Sequence, residues 1–447
     1  MILNSFYLPT KILMGKDSLK TALDGKKRVF IVTDRFMHES GRVSYITDAA
    51  AGTGAEYDIF SDVTPDPDIS VISAGVERIL AFKPDVLIAL GGGSPIDAAK
   101  SIMYFAARQC DMTGCDFAAI PTTSGTGSEV SRFAVITDSE KGIKYPLIDD
   151  KLLPNIAVLD PSLVASLPPA VTADTGIDVF THAIEAFVST GRTDFSDAMA
   201  EKSIKLVYRY LLKTYREPEN LEYRQRMHNA SCLAGAAFSN AGLGINHSMA
   251  HALGAKFHIP HGRANGILLP YVMSYNAGCT SKLTPTANRY AKISRLLDLE
   301  TASTRQSALN LIRTARHFIE ELGMKYNIRE IAFDRWGAMQ MVQNLEGMGF
   351  TVVPFGQGFK DMSPPTKELM KLTLEKKIAH GGHPVLRWMM DNIYIRTDPA
   401  GNIKADKEKS TEKIDGAVAT IMALDRAIRC GNDSGESVYD KRGLLIW

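Results

Sequence analysis

Four of the chain's ten histidines fall between Asn246 and Gly262: His247, His251, His258 and His261. His247 and His251 stand four apart. On a helix their rings leave one face a turn apart, a spacing from which two imidazoles reach one metal ion. Pro260 and Gly262 bracket His261 in a turn that could bring a third ring back toward the first two. Asp178 and His182 repeat the i,i+4 spacing with an oxygen and a nitrogen donor. Together the two pairs could close a nitrogen-rich, one-carboxylate site for a divalent cation. The alternative is that His247 and His251 are hydrogen-bonded core histidines on an Ala/Met/Leu face.

Such residues need elements to hold them. Arg28 to Asp34 is a β-branched run that ends in an acid, as buried parallel strands do. Asp34 there either accepts bonds from ribose hydroxyls, repelling a 2′-phosphate, or caps the next helix. A loop spans 64–68 and a helix is predicted from about Ile69 to Phe82. From Asp85 to Lys100 the chain reads as strand, triple-glycine turn (Gly91, Gly92, Gly93) and helix start. Ser94 as N-cap, Pro95 at the first helical position and Asp97 three residues after the serine form a capping-box signature. Free amides at that helix end, approached over glycines, suit a pyrophosphate, although a plain tight turn has the same composition. A second loop of small residues, Ile120 to Val130, offers hydroxyls and amides. The strand–helix rhythm of an α/β domain runs to Asp160. From Pro161 to about Met324, Ala-rich helical patterns dominate.

The totals describe a soluble globular protein. A chain of 447 residues predicts two or three domains. A net charge of +1 gives no reason for wholesale binding to nucleic acid or anionic membrane. Five cysteines without a paired framework read as reduced thiols of a cytoplasmic protein. Met1 to Gly15 lacks a basic lead and carries Pro9 and Lys11, so it reads as an edge strand rather than a signal peptide. With no apolar run of about eighteen residues, no membrane span is expected.

Taken together, these motifs resemble the iron-containing alcohol dehydrogenase family, in particular its propanol dehydrogenase branch. The resemblance is carried by Gly91 to Asp97, Pro121 to Glu129, Gly142 to Pro146, Gly176 to His182 and the histidine stretch with Pro260-His261-Gly262. It implies a dehydroquinate synthase-like fold: an α/β dinucleotide-binding domain over 1–160 and an all-helical metal-binding domain, truncated, over 161–324. It implies Fe²⁺, with Zn²⁺ as the alternative, held by Asp178, His182, His247 and His261. Spacing alone would make His251 a ligand; the resemblance instead places it beside the substrate, as a catalytic group. Asp34, Gly91, Gly92, Gly93, Ser94, Asp97, Thr122, Thr123 and Lys144 match positions that contact the dinucleotide, and Asp34 favours NAD. The substrate is then a small alcohol or aldehyde, and a homo-oligomer is expected.

Beyond about Met324 the family pattern stops. Residues 327–336 read as strand then helix, Phe350 to Gly358 as a second strand and loop, and Ser363 to Ala379 as a helix. Asn392 to Thr397 turns back at Asp398-Pro399-Ala400-Gly401, and a helix follows Lys413. Phe333-Asp334-Arg335-Trp336 and Lys413-Ile414-Asp415-Gly416 resemble the end of the terminase large-subunit nuclease domain of phages. Residues 325–447 are accordingly read as an incomplete RNase H-like α/β segment joined to a dehydrogenase. Asp334 and Asp415 would be two of its Mg²⁺- or Mn²⁺-binding acids. From Lys325 onward there are 18 Lys and Arg against 16 Asp and Glu, so a strong basic excess for DNA is missing. DNA is a partner only under that alternative reading.

Overall fold

The computed structural model describes residues 5–139, 143–257, 259–279, 282–322, 331–334, 351–375, 377, 384–412 and 414–430. The chain divides into two compact units, Met1–Lys325 and Tyr326–Trp447.

The first unit begins with a six-stranded sheet. Its strands are β1 (Lys11–Met14), β2 (Arg28–Asp34), β3 (Glu56–Val63), β4 (Val86–Gly91), β5 (Asp116–Pro121) and β8 (Ile156–Leu159), in the order β1-β8-β5-β4-β2-β3. Every pairing in it is parallel. β1 is an edge strand, as its Pro9 and Lys11 suggested. β6 (Phe133–Asp138) and β7 (Ile143–Ile148) form a separate antiparallel pair.

Period two explains why the central strands are apolar throughout. Phe30 and Val32 of β2, with Leu87 and Ala89 of β4, face a core shared with helices α4 (Ile69–Phe82) and α5 (Gly93–Ala106). Val29, Ile31, Val86, Ile88 and Leu90 face the opposite core, with α1 (Ser18–Leu23) and α3 (Ser44–Thr53). Helices on both faces leave no strand position for water, so alternation gives way to continuous Val, Ile and Leu. The strand ends at Asp34 and Gly91 are thereby aligned on one edge of the sheet.

Among the described residues, seven α-helices follow: α6 (Pro169–Val188), α7 (Asp194–Arg216), α8 (Leu221–Ala241), α9 (Ile245–Phe257), α10 (His261–Ala277), α11 (Pro285–Leu296) and α12 (Thr304–Glu321). Their shared core includes Phe180, Phe187, Leu211, Met273, Tyr290 and Phe318. A capping box between Thr193 and Ser196 starts α7. No helix among the described residues is long and apolar enough to cross a membrane.

The second unit has its own small core of Phe355, Met362, Leu369, Ile414, Val418 and Ile421. β9 (Ile331–Asp334) pairs in parallel with β10 (Val352–Phe355), and β11 (Ile395–Thr397) pairs antiparallel with β12 (Ile403–Ala405) across the expected turn. One helix differs from expectation at both ends. Predicted over Ser363 to Ala379, it runs Phe359–Leu374, with Gly358 as N-cap, Glu375 as C-cap, and Pro364 and Pro365 inside it. The helix predicted after β9 lies outside the described residues.

Candidate metal centre and cofactor groove

α6 presents Asp178, His182 and Glu185 at i, i+4 and i+7, one face of a helix, and all three are buried. α9 adds His247 and α10 opens with His261. Gly262 is what lets α10 start there: a Cβ on it would fall 1.9 Å from the Asp174 carbonyl oxygen of α6. Arg263 secures the same approach through Asp174, 3.1 Å away.

The result is a cluster in which Asp178, His247 and His261 each place a donor atom within 4.8 Å of the other two. Asp178 Oδ1 lies 3.6 Å from His247 Nε2 and 3.8 Å from His261 Nε2. His182 sits against this group, its Nδ1 4.0 Å from Asp178 Oδ2. Its ring stacks on His247 at 4.4 Å between centroids and on Phe238 at 4.6 Å. His251 is exposed on α9, with its ring 4.7 Å from that of His261 and 6.4 Å from that of His247.

Two further residues, which their sequence spacing did not single out, hold the cluster in place. Glu185 faces His247 Nδ1 at 2.5 Å and also accepts from the backbone amides of Asn246 and His247. Asn265 donates to Asp178 Oδ1 at 2.7 Å and lies 3.1 Å from His261 Nε2. The available signal for Glu185 was its place three residues after His182 on the face that begins with Asp178.

The electrostatics favour positive charge here. Burial pushes the Asp178 carboxyl upward, but the imidazoles of His182, His261 and His247 outweigh it and hold the group well below the ordinary carboxylate range. Burial likewise opposes charge on His247, yet the neighbouring Asp178 and Glu185 carboxylates raise its pKa to about 9. For His182, burial, reinforced by the His247, His261 and His251 imidazoles, outweighs the Asp178 charge and pushes the ring down to about 3. A proton on His247 or a divalent cation meets the same demand. Two buried nitrogens, His182 Nδ1 and His247 Nε2, have no hydrogen-bond partner. Buried imidazole nitrogens left this way beside a carboxylate fit a metal-donor set.

A groove of about 580 Å³ lies along the strand ends of the sheet, lined by Asp34, Arg42, Gly92, Gly93, Ser94, Thr122 and Thr123 among others. Asp34 lines the groove, and its Oδ1 caps the following helix by accepting from Met37 N at 2.8 Å.

Comparison with known proteins bears on the whole of this arrangement. Residues 9–161 match the family model "Iron-containing alcohol dehydrogenase" and residues 172–347 match "Fe-containing alcohol dehydrogenase family, C-terminal". A 1-propanol dehydrogenase of Citrobacter freundii is 47% identical over 298 residues, 66% of this chain and 79% of that protein. The chain belongs to the iron-containing alcohol dehydrogenase family. An NADPH-dependent butanol dehydrogenase of Clostridium saccharobutylicum is 40% identical over 342 residues, covering 73% of this chain and 86% of that one. Among solved structures, the sulfoacetaldehyde reductase of Bifidobacterium kashiwanohense in complex with NAD⁺ has a TM-score of 0.66 at 29% identity, covering 74% and 88%.

For this iron-containing alcohol dehydrogenase, the cofactor-site expectations divide. Gly92, Gly93, Ser94, Thr122, Thr123 and Asp34 share the groove; Gly91 and Asp97 are not among its lining residues. The expected capping box is corrected. The N-cap of α5 is Gly92, with no side-chain cap, and the helix already runs at Gly93, so Ser94 is inside it. Asp97 is drawn elsewhere, because its carboxylate accepts from Ser128 Oγ at 2.6 Å and from Val135 N at 3.1 Å. The side chain of Lys144 lies outside the described residues, as does His258; the backbone of Lys144, in β7, pairs with Thr137 of β6.

The tail also has a match. Residues 274–430 fit the model "Terminase large subunit, endonuclease domain", overlapping the dehydrogenase match from 274 to 347. Asp415 begins the helix Asp415–Cys430 and pairs with Lys407 at 2.7 Å. The side chain of Asp334 lies outside the described residues, as do Arg335, Trp336 and Lys413.

Proposed function

We propose that this chain interconverts a small primary alcohol and its aldehyde by hydride transfer with NAD, using Fe²⁺ held by Asp178, His182, His247 and His261. The observation that carries the reading is the convergence of Asp178, His247 and His261 from three helices, backed by Glu185, in a member of a metal-dependent dehydrogenase family. A divalent cation on these donors supplies Lewis acidity, favouring alkoxide character by several kcal/mol. Three imidazoles and a carboxylate suit Zn²⁺ as well.

The chain's own residues do the rest. Glu185 fixes the His247 tautomer so that Nε2 faces Asp178. Gly92, Gly93 and the amides opening α5 receive the pyrophosphate, and Thr122 and Thr123 flank it. Asp34 accepts from the adenosine ribose and repels a 2′-phosphate, which supports NAD over NADP. His251, exposed beside His261, relays the alcohol proton to water. Cys110, Cys115, Cys232 and Cys279 are free, in keeping with a reducing cytoplasm, and a homo-oligomer is proposed from the resemblance to the family.

The test is aldehyde reduction by purified chain with Fe²⁺ or Zn²⁺, a short aldehyde such as propanal, and NADH or NADPH. Loss of nicotinamide absorbance with NADH, and far less with NADPH, is expected; no turnover with either cofactor overturns the proposal. A second reading, carried by the terminase match, is a DNA nuclease segment from 325 on. Plasmid nicking with Mn²⁺ that Asp415→Ala abolishes would establish it.

A further inference from the structure

The loop after β5 lines the groove with Thr122 and Thr123, and its next residue turns into the fold. Ser124 is 7% exposed, and its Oγ lies 2.9 Å from Nδ1 of His228, 1% exposed on α8. Burial pushes the His228 pKa down to about 4, so the ring is neutral at working pH. Two backbone approaches flank this bond. A Cβ on Gly125 would fall 2.7 Å from Thr175 Cβ on α6, three residues before Asp178. Gly127, at φ +60°, would bring a Cβ within 2.6 Å of Gly235 Cα on α8. The groove loop is therefore pressed onto the same helices that carry or support the metal donors.

We infer that the Ser124–His228 hydrogen bond is a clamp that positions the dinucleotide loop against the metal-binding helices. Both partners are buried, so removing either costs a hydrogen bond between desolvated groups, and the loop limits that penalty by shifting. Packing at Gly125 and Gly127 fixes how near the loop comes, whereas the directional bond fixes its register. His228 is thus a positioning residue for the hydride-transfer reaction; the inference rests on reading the groove as the nicotinamide dinucleotide site.

The full, metal-loaded chain carrying Ser124→Ala, His228→Ala, His228→Asn or the double alanine change tests it by NADH titration and amide hydrogen exchange of residues 121–131. Either single alanine change should speed exchange in that segment and weaken NADH binding about tenfold, the scale of one hydrogen bond between buried groups. The double variant should be no worse than either single, His228→Asn should recover most of the loss, and bound metal and aldehyde KM should stay unchanged. If His228→Ala does not fold, Ser124→Ala decides. Equal exchange in wild type and Ser124→Ala, or additive losses in the double variant, overturns the clamp. Wild-type protein that binds no dinucleotide overturns the reading of the groove instead.

Discussion

Glu185 shows how one carboxylate sets the chemistry of a neighbour. Its contact with His247 Nδ1 leaves Nε2 to face Asp178, and three donors reach it on the α6 side of α9. Glu185→Ala should lower metal affinity roughly 10–100-fold, the usual penalty for losing a group that orients a metal-bound imidazole. Metal analysis after dialysis at graded chelator concentration measures this, and unchanged retention would place Glu185 in structure alone. His261→Ala should remove metal and turnover together. His251→Ala should lower turnover with metal retained, since its exposed ring stands at the edge of the cluster. An unchanged rate in that variant would leave His251 a surface histidine.

At the level of elements, the site depends on how closely α10 approaches α6. Gly262→Ala sets a methyl carbon against the Asp174 carbonyl, a backbone atom that cannot rotate away. A destabilisation of about 1–3 kcal/mol is expected, together with lost metal, because displacing the start of α10 moves His261. Thermal melts and metal content of one preparation check both effects. α5 is held from beneath in a different way. The buried Lys100 ammonium donates to Ser128 Oγ, to both Oγ and the carbonyl of Ser131, and to the Phe133 carbonyl. With Asp97 bonded to Ser128 and Val135, the helix under the groove is tied to the loop and strand that follow β5.

For the molecule as a whole, pH dependence and the junction can be tested. Burial pushes the Glu129 carboxyl from its ordinary 4.5 up to about 7. The folded chain therefore holds a proton between those values that the unfolded chain has released. Stability from this group is full below about 4.5 and is lost as pH rises through 7. Glu129→Gln removes that loss, so its melting temperature should gain on wild type between pH 5 and pH 8; a constant difference would show that Glu129 is ionised throughout. At the junction, every proposed dehydrogenase residue precedes 325, and the tail has a core of its own. Asp415→Ala should accordingly leave aldehyde reduction within error of wild type, measured as kcat/KM on the full chain.

By sequence alone the α/β-then-helical order, the strand from Arg28 to Asp34, the helix from Ile69 to Phe82, and the donor pairs were legible. Each rests on local periodicity or i,i+4 spacing, which short-range geometry carries unaided. Spacing put His247 and His251 together, but only tertiary structure could group Asp178, His247 and His261, since Gly262 lets α10 approach α6 and Glu185 ties α9 to α6. It also moved the α5 cap from Ser94 to Gly92, because Asp97 found stronger partners in Ser128 and Val135 than in the helix start. The partners of Glu185, Asn265 and Ser124 could not be read beforehand because they lie 62, 87 and 104 residues away along the chain. Such contacts are set by packing of whole helices, and no local pattern encodes them.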